Sequence, residues 1–559
     1  MNKKFKLILI KPSHYDDDGY VIQWYKSSIP SNTMATIYGL GLNCAKNKVL
    51  GEDVDIELSA YDETNTRIKV KKLIREISEN GGYGLIALVG VQSNQFPRAV
   101  DLARQFRKNN ITVAIGGFHV SGCLAMLKEI PTDIKEAMDL GISLFAGEIE
   151  GRLELLLQDA IQNKLKPVYN YLETLPDIAN QPEPFLPVEV IQRMTGMRTA
   201  FDSGRGCPFE CSFCTIINVQ GQKSRHRSAD DIERIIRTNV SQGVFSFFIT
   251  DDNFSRNRNW ESILDRIIQI KEVDKFRLTF TIQVDTASHK IPRFIEKAGK
   301  AGVNKAFIGL ENINSESLKE VGKKQNNITE YRKLLQSLHN AGILTFAGYI
   351  LGFPGDTPEK ITKDIGIIQR ELPVDLLEFF ILTPLPGSKD HKNLVEQGIL
   401  IDTDMNNYDV THVTAPHDTM SATQLLEVYN NAWETYYSTD HVERILRRAK
   451  KWGFKVEKMM WMTLEFYACV TIEKVHPLEG GIFRRKYRRD RRYGLPRENL
   501  IAFYSHYLWE ILIKPCKFFL VYKSYKKILK RVMENKPEEM EVDVAMVPVS
   551  ASEQKELNP

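Results

Sequence analysis

Gly204-Arg205-Gly206-Cys207-Pro208-Phe209-Glu210-Cys211-Ser212-Phe213-Cys214 sets three thiols on one short loop in the spacing C-x3-C-x2-C. Soft thiolate sulfur selects zinc, copper(I) or iron–sulfur centres over hard cations. A structural zinc takes a closed tetrahedron of protein ligands, and the nearest histidine, His226, lies twelve residues on in a basic stretch. A four-iron cubane held by Cys207, Cys211 and Cys214 leaves one iron open to a substrate or cofactor. The spacing therefore points to a catalytic iron–sulfur cluster, with zinc as the alternative reading. Disulfides fit less well, because Cys44, Cys123, Cys469 and Cys516 are scattered and the total of 7 is odd. No secretory leader is read at Met1, since the apolar segment after Lys4 is short and lacks a cleavage site, so the expected compartment is the cytoplasm.

Outward from the loop, residues 198–203 read as a strand start. Downstream come Phe247-Phe248-Ile249-Thr250-Asp251-Asp252-Asn253, Phe307-Ile308-Gly309-Leu310-Glu311-Asn312, Ala347-Gly348-Tyr349-Ile350-Leu351-Gly352-Phe353-Pro354-Gly355 and Leu382-Thr383-Pro384-Leu385-Pro386-Gly387-Ser388. Helix-like stretches at 229–242 and 259–272 separate the first of these, and alternating strand and helix predicts a parallel sheet with crossover connections. Asp251, Asp252, Asn253 and Glu311 fall where apolar strands stop, which is where barrel enzymes place ligand contacts. Single acids there equally suit caps and turns.

The cysteine spacing, the aromatic Phe213 before the last cysteine and the ordered strand ends together resemble the radical S-adenosylmethionine (SAM) superfamily. That resemblance implies a partial (β/α)6 barrel and a [4Fe-4S] cluster. It also implies SAM on the open iron, cleaved by one electron to a 5′-deoxyadenosyl radical, and an electron donor such as flavodoxin or ferredoxin. It implies that Asp251, Asp252 or Asn253 meets the SAM amino group, in place of the family's Gly-Gly-Glu. Glu311 would then touch the ribose or amino-acid end, and Gly348, Ile350 and Gly352 would lie beside the adenine.

Residues 1–165 read as alternating short apolar strands (6–10, 54–58, 85–91, 112–116, 140–145) and helices (34–46, 66–80, 95–108). Strands without polar alternation suit a doubly wound, Rossmann-like sheet covered on both faces, with ligands beyond the carboxyl ends of its strands. Gly116-Gly117-Phe118-His119 and Gly147-Glu148 stand at such ends. This module before a cysteine loop is similar to the cobalamin-binding class of radical SAM proteins, and the resemblance implies cofactor contacts from Gly116, Gly117, His119, Gly147 and Glu148. The Asp-x-His-x-x-Gly signature of histidine-ligated cobalamin has Gly117 at its Asp position. The expectation is thus cobalamin with its base displaced and no histidine on cobalt. His119 lacks the orienting carboxylate that a metal-bound histidine needs.

The chain of 559 residues leaves room for more than these two units. We expect a linker at 166–194, the barrel at 195–400, a helical region at 401–533 and a disordered tail from 534. Met459, Met460, Trp461 and Met462 read as core packing, or as a pocket for a large apolar ligand. The loop Lys11-Pro12-Ser13-His14-Tyr15-Asp16-Asp17-Asp18 reads as a polar cover over the cofactor or substrate edge, with a hard-metal site as the alternative. Seven of the ten residues from Arg484 to Tyr493 are basic, yet net charge is only +4, so nucleic-acid binding is not expected. Residues 500–532 mix aromatic and aliphatic residues with lysines. The segment is too charged to span a bilayer, and it suits either an anionic membrane surface or a packed helix with a solvated face.

Two function classes follow. The first is a cobalamin-dependent radical SAM enzyme that methylates an unactivated carbon of a small molecule, lipid-like or tetrapyrrole-like, or that cyclises or rearranges it without methyl transfer. The second is a redox or regulatory protein that keeps cluster and cobalamin as sensors, a role that would not need the full series of strand-end motifs.

Overall fold

A computed structural model describes residues 3–79, 81–314, 328–534 and 543–548. The first sheet has six parallel strands in the order Val54–Asp62, Lys3–Lys11, Gly84–Leu88, Thr112–Gly116, Ser143–Ala146, Val168–Asn170. Gly84–Leu88 and Ser143–Ala146 are buried along their whole length, as strands covered on both faces must be. The order reverses between Lys3–Lys11 and Gly84–Leu88, which makes that crevice the ligand position of a doubly wound sheet. The last strand, Val168–Asn170, falls inside the stretch expected to be linker and extends the sheet instead.

The second sheet is also six-stranded and parallel, running Arg198–Phe201, Ser246–Ile249, Thr279–Val284, Val303–Glu311, Leu344–Leu351, Leu376–Ile381 in chain order. Burial alternates along Thr279–Val284. Phe280, Ile282 and Val284 join the core beneath the helices, which leaves Thr279, Thr281 and Gln283 on the concave side. The fold class is therefore α/β, with a doubly wound module followed by a partial barrel. A helical region covers the last strand: the Tyr437 hydroxyl donates to the Leu377 carbonyl at 3.0 Å and the Tyr436 hydroxyl to that of Val374 at 2.9 Å. This covering removes the liability of an open edge.

The C-terminal region also carries a strand, Gly481–Arg485, antiparallel to Gln23–Ser27 from the other end of the chain. The basic run is spent there. Arg484 pairs with Asp16 at 3.0 Å, Lys486 with Asp18 at 3.1 Å and Glu510 at 2.9 Å, and Arg492 with Asp404 at 2.6 Å. The acidic loop after the first strand is neutralised by arginine and lysine and packs on the C-terminal region. His14 Nε2 also meets Glu479 there at 2.6 Å, so these side chains are held by partners of the same chain. Met459, Met460 and Met462 are buried in the core, as the packing reading has it. Of the tail, residues 543–548 are docked, with Asp543 bound by Arg448 at 2.6 Å; the remainder lies outside the described residues.

Candidate functional site

The cysteine loop is gripped at both ends. Gly206, at φ +91°, lies so close to the Gly221 carbonyl that a Cβ would meet it at 2.8 Å, and Cys207 N–H donates to that same carbonyl at 3.3 Å. Past the loop's middle, the Ser212 carbonyl accepts from Lys389 and Asp390 N–H at 3.0 and 3.2 Å, at the start of the helix Lys389–Glu396. Burial pushes the Cys214 thiol up to about 12, with Cys211, Asp252 and Cys207 adding to the rise, which places all three cysteines and one acid in one field. Among the described residues, no three Cys, His, Asp or Glu side chains converge on one point as a single ion requires.

The three candidates after Ser246–Ile249 separate by what they already hold. Asp251 is buried and accepts from Ser203 N–H at 2.6 Å, Ser203 Oγ at 2.8 Å and Asn257 Nδ2 at 3.1 Å. Its carboxylate braces the strand that leads into the cysteines. Asn253 is spent on Asp285 at 2.8 Å and on the Ser255 hydroxyl at 2.7 Å. Asp252 makes no hydrogen bond to another described side chain, and burial, then the charge of Asp251, pushes it up to about 7. Of the trio, it alone is not engaged by another described side chain.

Glu311 ends the fourth strand at φ 63°, in the left-handed region that non-glycine residues rarely adopt, where the pairing with the next strand slips between Gly309 and Glu311. Gly348 is wedged between Phe307 and Phe380, each 3.0 Å from where its Cβ would stand. Ile350 packs with Phe353, and Phe213, Phe380 and Leu382 lie against them, so the aromatic before the last cysteine joins an apolar wall built from the last two strand ends. Gly352, at φ +92°, gives its N–H to Asp356 at 3.1 Å. The sequence reading missed Glu378, the register partner of Gly348. It is buried, its Oε2 has no hydrogen-bond partner, and burial pushes it up to about 8.

A deep cleft opens at the carboxyl ends of the first sheet. Its floor is apolar (Leu85, Ala87, Ala114, Phe145, Leu153), its rim carries Gly116, Gly117, Gly147 and Glu148, and its far wall is Arg205, Val219 and Gln220, which flank the cysteine loop. Gly117 is required there, because a Cβ would stand 2.2 Å from Val91 N. His119 is not part of the lining. Its Nε2 meets Asp133 at 2.8 Å, its Nδ1 meets Ser93 Oγ at 3.1 Å, and its ring lies 4.3 Å from Phe96. The orienting carboxylate is therefore present, contrary to the sequence reading, but both ring nitrogens are occupied and the residue is buried away from the cleft. Glu148 also departs from a plain ligand contact. Arg205 and Arg225 hold its carboxylate at 2.8 and 2.5 Å, while Arg205 reaches on to Glu150 at 2.6 Å and Asp202 at 3.1 Å. Arg205, which the sequence reading passed over, joins the two sheets; its place between Gly204 and Gly206 was the one available hint.

Residues 202–366 match the model of the Radical SAM superfamily, and the chain carries a radical SAM domain. It is 26% identical over 365 residues to bacteriochlorophyllide d C-8(2)-methyltransferase of Chlorobaculum tepidum, covering 61% of this chain and 75% of that protein. Among solved structures it resembles the cobalamin-dependent SAM radical enzyme OxsB with aqua-cobalamin and SAM bound, at TM-score 0.56, 13% identity and coverage of 99% and 83% of the two chains. It also resembles the radical SAM methyltransferase TsrM from Kitasatospora setae with cobalamin and a [4Fe-4S] cluster bound, at TM-score 0.53, 16% identity and coverage of 71% and 78%. These likenesses agree with a doubly wound module ahead of a partial barrel.

Proposed function

We propose that the protein is a cobalamin-dependent radical SAM methyltransferase that acts on a carbon of a large, mainly apolar small molecule of tetrapyrrole or polycyclic lipid type. One observation carries the reading: the cleft of the first sheet and the cysteine loop share a wall, Arg205, Val219 and Gln220. Two cofactors placed there would face one substrate space. When bound, the cluster supplies the electron that cleaves SAM, and cobalamin supplies a transferable methyl group.

The chain's own residues do the positioning. Cys207, Cys211 and Cys214 hold the cluster, and Asp252 takes the SAM amino group, while Asp251 and Asn253 brace the loops around it. Glu311 meets the ribose end, and the strand end carrying Gly348, Ile350 and Gly352 flanks the adenine. Gly116, Gly117 and Gly147 let the corrin approach the strand ends. The apolar floor around Ala114 and Phe145 would take an apolar part of that cofactor, and His119, held by Asp133 and Ser93, would not contribute a ligand. Phe213, Ile350, Phe353 and Phe380 form a water-excluding wall toward the substrate. An electron donor of the flavodoxin or ferredoxin type completes the system, and the protein meets a membrane peripherally.

Anaerobically reconstituted protein given methyl-labelled SAM tests the reading by mass spectrometry. A labelled product supports methyl transfer; 5′-deoxyadenosine with an unlabelled, altered product assigns cyclisation or rearrangement instead.

A further inference from the structure

We infer that the outer face of the helix Leu500–Glu534 docks on an anionic bilayer, with its amino-terminal half set into the headgroup layer and its lysines against the lipid charge. This deepens the peripheral association proposed above and does not depend on the methyl-transfer chemistry.

The helix is divided lengthwise. Its inner side begins at Phe503, buried with its ring 5.3 Å from Tyr20. It continues through Glu510, paired with Lys486 at 2.9 Å, and Lys514, paired with Glu473 at 2.8 Å. It ends on buried Tyr525, Ile528 and Val532, where the helix packs on Thr439–Lys451 and Val456–Ala468. Steps of three and four residues keep these on one side. The opposite side should then be polar.

It is not. Ile501 is 84% exposed, Leu512 64%, Leu520 67% and Trp509 62%, with Leu508 and Phe519 also exposed on the same half. An exposed apolar surface of this extent marks an interaction site rather than ordinary scatter. Further along the same helix stand Lys523, Lys526, Lys527 and Lys530, all exposed. The only acidic residues of the helix are Glu510, turned inward to Lys486, and Glu534 at its end. The outer face thus joins aliphatic and aromatic side chains to a purely cationic stretch, the composition of an interfacial helix. No helix among the described residues is long and apolar enough to cross a membrane, so the helix lies in the surface. The occupant is anionic because cations without intervening acid gain most from lipid charge. Within the basic run at 484–493, Arg484, Lys486 and Arg492 are committed to acids of the same chain and are not available to lipid.

Co-sedimentation of the full-length reconstituted protein with phosphatidylcholine vesicles, with and without phosphatidylglycerol, tests the inference. The expected result is binding to the anionic vesicles that weakens with salt. Leu508→Glu/Leu512→Glu should abolish it. Lys523→Glu/Lys527→Glu should lower it by about tenfold or more on anionic vesicles only. Both variants should keep the wild-type melting curve and reductive SAM cleavage in solution. Failure of the wild type to bind either vesicle, or unchanged binding by the leucine variant, overturns the inference. So does a lipid-free dimer that Leu508→Glu/Leu512→Glu dissolves, which would assign the face to a second copy. Vesicle binding without any SAM cleavage would sink the proposed enzyme and leave the docking face standing.

Discussion

Arg205 and Glu148 meet at 2.8 Å across the junction of the two sheets, both nearly buried, with Glu150 and Asp202 on the same guanidinium. A guanidinium fork can satisfy several carboxylates at once. The junction is therefore stiff where the cofactor cleft and the cysteine loop share a wall.

Arg205→Ala leaves buried Glu150 without its cation and removes one of the two cations beside Glu148 and Asp202. Breaking a buried pair costs about 3–5 kcal/mol, so a clear fall in melting temperature is expected. Loss of bound cobalamin on gel filtration should accompany it. Arg205→Lys should recover part of the stability and less of the cofactor, because a point charge cannot fork. Equal behaviour of the two variants would count against the bridging role.

Filling the cleft floor should separate the two cofactors. Ala114→Trp projects bulk into the slot beneath Gly116 and is expected to abolish cobalamin retention, read by its absorbance. It should leave 5′-deoxyadenosine formation within about threefold of wild type, since the barrel is untouched. Circular dichroism guards against misfolding, and Thr36→Phe, from the lining of the same cleft, is the milder second variant. Loss of SAM cleavage in a folded variant would show that the sites are not separable.

Asp252→Asn keeps shape and removes charge beside the thiols. The expected outcome is a rise of about tenfold or more in the KM for SAM, with the cluster's absorbance retained. Asp251→Asn should instead lower thermal stability, because its oxygens hold Ser203 and Asn257. Interchanged phenotypes would reassign the ligand contact to Asp251.

Glu378 makes stability depend on pH. Its carboxyl is raised from the ordinary 4.5 to about 8 by burial, so the folded state holds a proton that the unfolded state has lost. Its contribution to stability is then fullest below about pH 4.5 and declines as pH rises toward about 8. Glu378→Gln should remove this part of the decline, and the difference in melting temperature between variant and wild type should widen with pH over that window. Parallel profiles would mean that Glu378 has a partner in solution.

Much of the architecture was legible because it is written locally. The strand Thr112–Gly116 and the strand-end motifs announce themselves as apolar runs that stop at glycine or acid. The three cysteines and Phe213 needed only spacing. What escaped was long-range. Nothing in local periodicity says that Gln23–Ser27 will pair with Gly481–Arg485, that Asp133 will orient His119, or that Arg205 will span to Glu148. A charged residue reads the same in a loop whether it faces water, a ligand or a buried partner, so Glu148 and the acidic triplet could be located but not assigned.

Gly122 and Gly387 have a consequence for how this enzyme could diversify. A Cβ on Gly122 would stand 2.3 Å from the Pro386 carbonyl oxygen, and one on Gly387 would stand 2.8 Å from Gly122 Cα. Main chain therefore rests on main chain where the helix Phe118–Met126 meets the loop after the last barrel strand, with no side chain between to trim or enlarge. The span between the cleft of the first sheet and the cysteine loop is thus set like a machined gauge. Adaptation to a wider or narrower substrate has to proceed through the replaceable wall of Phe213, Phe353 and Phe380, leaving the spacing of the two halves untouched.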